Sequence, residues 1–330
     1  MPTQVITLRS GERVEASVIR APDPVWADRI EAMVRHKGDP WDWQNSELLR
    51  REVGLETRFF ILHRGGAPFA NIMLAEAGGA AILGHVWTEP ADRGAGASSV
   101  LMDLVLGDFR ARGGQALFLG TEFGTTPWHY YRRRGFEPVE PGSDYMELFN
   151  VPPGLFAETW FGAAEAVVEP LDWRHWPASV PLFMGPWPGM VRIAAVKLFG
   201  RRSPEAGLLG MLRQERRLQA AGEPGCARVL RAAAGAAVLG FASLQPDPDG
   251  PGRVVDLYCH PRWWARADGL LAALPQPRGE RIRAYADSGF AEKLGALERA
   301  GFRREAVLPG RVAADAAGRV RVDVEIWVRG

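Results

Sequence analysis

The segment Asp92-Arg93-Gly94-Ala95-Gly96-Ala97-Ser98-Ser99 lies between a strand-like stretch and a helix-like one, and its residue types suit the binding of an anion. The first N–H groups of a helix have no intrahelical partners, and the helix dipole adds partial positive charge there. Glycines at that point omit the Cβ atoms that would hold a phosphate at a distance. Arg93 can supply charge, and Ser98 or Ser99 a hydroxyl. The same string also fits a tight turn with no ligand. It is not a P-loop, which needs a Lys-Ser/Thr pair, and the strand before it reads as part of an antiparallel meander rather than a parallel dinucleotide-binding unit. A second place in the chain, "HPRWWARADGLL", has similar surroundings without the glycines.

Elements that would position this loop can be read from periodicity. "QVITLRSGERVEASVIRA" is strand material turning at Ser10-Gly11. "DPVWADRIEAMVRHKG" and "NSELLRREVG" read as helices, the second starting at the capping-type residue Asn45. The next stretch reads as three antiparallel strands broken at Gly65-Gly66 and Gly78-Gly79. After the loop, Leu101, Leu104, Val105 and Phe109 recur at helical spacing, with Asp103, Asp108 and Arg110 off that stripe. "ALFLGTEF" is a buried-type strand, and Thr126 is placed to cap a helix that begins at Pro127 and ends at Gly135. The second half repeats the plan: a strand pair in "GAAVLGFASLQPDPDGPGRVVDLYCHP", a helix around Leu270, Leu271 and Leu274, then "RIRAYADSGFAEKLGALERAGFRRE". The order suggests an internal duplication, divided near Pro152-Pro153-Gly154.

At 330 residues two domains are the natural expectation. A hydrophobic content of 47%, a charged content of 24% and a net charge of +1 describe a globular chain with no bulk attraction to nucleic acid or anionic membrane. An anionic small molecule needs only local donors. The sequence shows no signal-peptide pattern and no run of about 18 apolar residues, so a cytoplasmic location is expected. Cys226 and Cys259 have no metal-type Cys/His spacing around them and read as packed thiols, with no metal expected.

The string "HVWTEPADRGAGASSVLMDLVL…YYRRRGF" resembles the GNAT superfamily of acyl-coenzyme A-dependent N-acyltransferases. That family's loop reads Arg/Gln-x-x-Gly-x-Gly/Ala, three residues after a proline that ends a strand. Pro90, Arg93 and Gly96 fit, and Ser98 stands where Gly or Ala is usual. A later Tyr-x-x-x-Gly-Phe is matched by Tyr131, Gly135 and Phe136. The likeness covers residues 58–149 well and the first 57 only in outline. It implies a mixed α/β (α+β) fold of two tandem domains, each a mostly antiparallel twisted sheet flanked by helices: 1–150 active, 151–164 a linker, 165–330 degenerate. It also implies that acetyl-CoA is the co-substrate. Its pantetheine arm would enter where two strands splay, beside the backbone of Val86, Trp87 and Thr88. Its pyrophosphate would lie on Arg93, Gly94, Ala95, Gly96, Ala97, Ser98 and Ser99. A backbone N–H near Thr88 would stabilise the oxyanion, and Tyr131 would protonate the departing thiolate.

The acceptor implied is a small-molecule amine, whose proton must go to a base. Many members of the family carry a Glu nine residues before the loop Arg; that position here is Gly84. His85 is adjacent, but strand alternation turns it to the opposite face unless a bulge intervenes. Glu122, after "ALFLGT", is the other candidate, with Glu89 and His129 behind it and a water chain as a further route. In the second half "RWWARADG" replaces the loop and Leu297 stands in the place of Tyr131, so that half is expected to have lost the cofactor. Trp173, Trp176 and Trp187 either wall an acceptor pocket or pack that half's core. Two other readings compete: an acyl-thioester enzyme such as a decarboxylase, and a non-catalytic coenzyme A sensor. Oligomeric state is left open.

Overall fold

The first strand-like stretch folds as a hairpin, β1 (Gln4–Thr7) against β2 (Arg13–Ala21). The chain, here as a computed structural model, is described over residues 3–277, 279–315 and 318–330. It falls into two compact units, Met1–Leu119 with Leu148–Pro152, and Gly120–Glu147 with Pro153–Gly330. The second unit therefore takes in residues 120–147, which the sequence reading places in the first domain.

In the first unit α1 (Pro24–Val34) starts at Asp23, whose Oδ1 accepts the Val25 and Trp26 N–H groups at 3.0 and 3.2 Å. Helix α2 spans Trp41–Arg50 and so begins four residues before the expected start at Asn45. Asn45 is no cap: it is fully buried on the face that also carries Gln44, Leu48 and Leu49. Strands β3 (Glu56–Arg64), β4 (Ala67–Ala77) and β5 (Ala80–Thr88) form the expected antiparallel meander. Helix α3 (Ala97–Ala111) then crosses over and returns the chain as β6 (Ala116–Gly120), parallel to β5. Within this unit the strand order is β1-β2-β3-β4-β5-β6.

Helix α3 packs on β3 and β4 with Leu101, Met102, Val105 and Phe109 fully buried, each side chain contributing about 1.5–3 kcal/mol by leaving water. Gly114 closes this helix tightly, since a Cβ there would sit 2.3 Å from the Phe109 ring. Asp108, expected off the stripe, is buried; Arg112 Nε donates to it at 2.8 Å and Arg58 Nη1 lies 3.5 Å away. Arg112 is a local partner four residues on, but the pairing with Arg58, fifty residues away, leaves no periodic trace in sequence.

In the second unit α4 (Thr126–Arg132) is capped by Thr125, one residue earlier than expected. Then come β7 (Glu137–Pro138), β8 (Tyr145–Phe149, whose last two residues belong to the first unit), α5 (Pro153–Phe161), β9 (Ala166–Pro170), α6 (His175–Ala178) and α7 (Val180–Met184). The short β10 (Val191–Ile193) and β11 (Leu198–Phe199) pair with each other, and α8 (Glu205–Ala220) follows. The rest is β12 (Ala227–Ala232), β13 (Val238–Pro246), β14 (Arg253–Cys259), α9 (Ala267–Ala272), β15 (Ile282–Asp287), α10 (Ala291–Arg299), β16 (Arg303–Ala313) and β17 (Arg321–Arg329). Its sheet runs β16-β17-β15-β14-β13-β12-β9.

The duplicated plan is visible in the pairing. In each unit an antiparallel meander, β3-β4-β5 or β12-β13-β14, leads through a helix to one parallel neighbour, β6 or β15. The expected fold class, two mixed and mostly antiparallel sheets flanked by helices, is what the chain adopts. Among the described residues no helix is long and apolar enough to cross a membrane.

Candidate functional site

The last β5–β6 pair is Ile82↔Phe118, yet β5 continues six residues further, to Thr88. In an antiparallel ladder alternate residues point their N–H and C=O groups away from the partner strand. Beyond Ile82 such groups on β5 face a side where β6 no longer pairs. The predicted splay is therefore present in the first unit, followed directly by the glycine loop.

In that loop Gly94 and Gly96 have φ of +83° and +88°. A Cβ on Gly94 would meet nothing within 4 Å. The requirement there is for a left-handed backbone, which costs an L-residue about 1–2 kcal/mol. Gly96 is the N-cap of α3 and offers no side-chain cap to the first-turn donors, in contrast to Asp23 on α1. The Arg9 N–H donates to the Ala95 carbonyl at 3.0 Å and ties the loop to the β1–β2 turn. Arg93 lies over the Trp87 ring at 4.8 Å and donates from Nε to the Thr88 carbonyl at 3.1 Å. The loop, its arginine and the end of β5 are thus one connected assembly. Ala97 is buried, Ser98 and Ser99 are half-buried, and Val86, Trp87 and Thr88 are half-buried along β5.

Between these parts β5 is irregular. Asn71 of β4 pairs with Trp87 and Met73 with Gly84, so two steps on β4 face three on β5. This is a β-bulge at His85-Val86, the condition under which His85 changes face. His85 has φ +51°, one of two non-glycine positive values among the described residues. Its backbone carbonyl accepts the Asn71 Nδ2–H at 3.0 Å, and its Nε2 lies 2.6 Å from Gln44 Oε1. An amide oxygen can only accept, which makes Nε2 the donor. Gln44 Nε2 in turn donates to Met73 Sδ at 3.2 Å, and Trp41 meets the imidazole edge-on at 5.8 Å. Gly84, where the family's Glu would stand, faces Met73; a Cβ there would begin 3.1 Å from Met73 Cε. Neither Gln44 nor Asn71 was identified from the sequence. The available signal was two polar amides within otherwise apolar buried faces, "WDWQNSELL" and "FANIML".

Burial drives the His85 imidazole down to about 3 from its ordinary 6.5, and the positive charges of Lys37 and His36 act in the same sense. His85 is thus a neutral hydrogen-bonding group, too weak a base to take an ammonium proton. The unfolded chain binds its proton first, so between pH 6.5 and 3 stability falls on acidification, by at most about 1.4 kcal/mol per pH unit. His260, held near 4 by burial, works in the same direction. Urea unfolding at pH 6.5 and pH 5 is expected to show this loss. His85→Gln should reduce it by on the order of 1 kcal/mol, and an unchanged slope would contradict the buried neutral imidazole.

Tyr131 and Glu122 belong to the second unit. Tyr131 is buried on α4, with ring centroids 5.5 Å from Tyr130 and 5.7 Å from Phe136, both edge-on. Burial first, and Tyr130 second, hold its phenol above the ordinary value of 10, so it is protonated at neutral pH. The backbone on either side of Glu122 is fixed: Thr121 N–H donates to the Asp144 carbonyl at 2.7 Å, and Phe123 N–H to Asp144 Oδ1 at 2.8 Å. The Glu122 side chain itself is exposed.

The second unit's own counterpart of the splay is filled. Its last β14–β15 pair is Val255↔Ala284, and both strands run on, to Cys259 and Asp287. Strand β10 lies against both. The Ala194 and Ala195 N–H groups donate to Asp256 at 2.6 and 3.2 Å, and the Val191 N–H donates to Asp287 at 2.7 Å. The Met190 N–H also donates to Asp287, and Lys293 Nζ to the Val191 carbonyl at 2.9 Å. Burial raises the Asp256 carboxyl to about 6 even beside Lys293. The chain's own segment thus takes the backbone-lined space. Trp263 and Trp264 are buried, the former donating from Nε1 to the Phe161 carbonyl at 3.0 Å. Leu297 is fully buried, and β14 pairs with β13 without a bulge. Trp173 and Trp176 are buried, and Trp187 packs edge-on against Phe161 and His260, which favours core packing over a pocket wall. Cys226 and Cys259 are buried free thiols.

No protein-family model matches the chain, and no curated protein matches it. It is similar to solved structures of GNAT-family acetyltransferases. One from Brucella melitensis in complex with acetyl-CoA is 20% identical over 42% of this chain and 89% of that one, with a TM-score of 0.32. An aminoglycoside 6'-N-acetyltransferase complexed with coenzyme A is 17% identical over 42% and 97%, with a TM-score of 0.33. One from Staphylococcus aureus Mu50 is 13% identical over 41% and 98%, with a TM-score of 0.34. At these scores the functional reading rests on the chain's own geometry.

Proposed function

We propose that the chain transfers an acetyl group from acetyl-CoA to the amine of a small molecule, with residues 1–150 as the working domain and 165–330 as a copy that no longer binds coenzyme A. One observation carries this reading: β5 outruns its parallel partner and leads directly into a left-handed glycine loop at an uncapped helix N-terminus. That arrangement offers a slot lined by backbone amides and, next to it, a cradle for a phosphate. The residues that would hold the pyrophosphate are Arg93, Gly94, Ala95, Gly96, Ala97, Ser98 and Ser99. Val86, Trp87 and Thr88 would line the arm, and one of their N–H groups would receive the carbonyl oxygen as it gains charge.

The reaction is attack of an uncharged amine on the thioester carbonyl with loss of a thiolate. Tyr131 enters this reading from the order of motifs along the chain, as the group that gives the thiolate its proton. Its raised pKa keeps it protonated at neutral pH, so it enters the reaction as a proton donor. Glu122 is the carboxylate assigned to the amine or to a water that relays its proton. His85 stays in the site as a neutral hydrogen-bonding group.

The test is thiol release from acetyl-CoA with water, spermidine, kanamycin A, tyramine and lysine as acceptors. Amine-dependent release, with acetylated amine found by mass spectrometry, supports the reading. Binding of acetyl-CoA without release would favour a sensor, and CO₂ from malonyl-CoA a decarboxylase.

A further inference from the structure

The bulge at His85-Val86 is held from three sides by groups that approach it from different elements. Asn71 on β4 donates to the His85 carbonyl at 3.0 Å, Gln44 on α2 lies 2.6 Å from its Nε2, and Trp41 on the same helix meets the ring edge-on. All are packed in the first unit; Gln44 and Asn71 are fully buried. The backbone at His85 is left-handed, which a residue with a Cβ adopts only when its surroundings enforce it.

One inserted residue has a defined consequence in a strand. It moves the alternation of N–H groups by one position, so it decides which of the Val86, Trp87 and Thr88 amides point toward the open side of β5. The second unit makes the comparison internally. Its corresponding strand, β14, pairs with β13 in unbroken register over Gly240–Pro246, has no left-handed residue, and faces a space filled by its own chain. The bulge is found in the unit that has the open splay and the glycine loop, and is absent from β14 in the unit that lacks them.

We propose that Gln44 and Asn71 are positioning residues, which act through His85 to hold the bulge and so select the β5 amide that faces the reacting carbonyl. The inference rests on the acetyl-transfer reading above and adds to it a task for His85 other than that of a base. His85 is then needed for the shape of the backbone, and its imidazole is one of the clamps.

The two roles separate in a pair of substitutions that remove the same ring. His85→Ala keeps a Cβ in the left-handed position while losing the Gln44 contact. His85→Gly also loses the contact, but glycine adopts that backbone without strain. Acetyl-CoA affinity by calorimetry and thiol release with the best acceptor of the panel above are measured on each folded variant. The expected result is a kcat fall of about 30- to 100-fold for His85→Ala, the scale of a misplaced reacting group. His85→Gly should keep about tenfold more of that rate than His85→Ala, with both binding acetyl-CoA to within about threefold of the unaltered chain. Asn71→Leu should fall with His85→Ala, and Asn71→Leu combined with His85→Gly should recover part of the loss. Equal losses in His85→Ala and His85→Gly would overturn the inference and return His85 to a chemical role. A fall in thermal stability with kcat unchanged in Asn71→Leu and Gln44→Met would reduce both to packing residues. If the unaltered chain releases no thiol with any acceptor, the acetyl-transfer reading fails, and this inference fails with it.

Discussion

Tyr131→Phe is expected to lower the turnover of amine-dependent thiol release by about 10²–10³-fold. Acetyl-CoA affinity should change by no more than about threefold. The substitution removes one oxygen from a ring that stays buried against Tyr130 and Phe136, so packing is conserved. What is lost is a proton source for the leaving group. A phenol whose pKa is raised by burial holds its proton across the neutral range, and so has one to give where the thiolate departs. Because the step follows carbonyl attack, the effect belongs in kcat rather than in ground-state binding. Stopped-time thiol assays alongside calorimetry separate the two, and a Tyr131→Phe enzyme with the rate of the unaltered chain would remove Tyr131 from the mechanism.

Gly96→Val is expected to weaken acetyl-CoA binding by about 100-fold or more while the chain stays folded. At φ +88° a β-branched residue is strained wherever it points, and relief requires the α3 N-cap to rotate. Rotation re-aims the first-turn N–H groups, which is where the phosphate is placed. Circular dichroism should report the helical content of the unaltered chain, since α3 keeps its buried Leu101, Met102, Val105 and Phe109 face. Gly269→Val, a substitution inside α9 of the second half, should leave acetyl-CoA binding as it was, because the space beside β14 and β15 is occupied by residues 190–195.

Much of this architecture could be read in the sequence, for identifiable physical reasons. The meander β3-β4-β5 was marked by paired glycines between apolar runs, and α3 by an unbroken 3.6-residue stripe. These are local signals. Asn45 reads as a start because an amide before an apolar run usually caps a helix N-terminus, whereas here it lies inside the helix. Asp108 is buried against expectation because Arg58, fifty residues away, reaches it only in the folded chain, alongside the local partner Arg112. The bulge is not legible in the sequence, since a left-handed histidine leaves no mark in composition. Loss of the cofactor from the second half is legible in "RWWARADG" and in Leu297, but the filled cleft beside β14 is not. A more telling feature was Asp256 within the apolar run "VVDLYC", a carboxylate that must find buried donors and finds them on Ala194 and Ala195.

A calorimetric titration of acetyl-CoA into the full chain, repeated with Gly96→Val, tests the division of labour between the two halves most directly. A single binding event per chain, lost in the variant, is the expected result. Two events per chain, or one that survives Gly96→Val with its affinity unchanged, would contradict it.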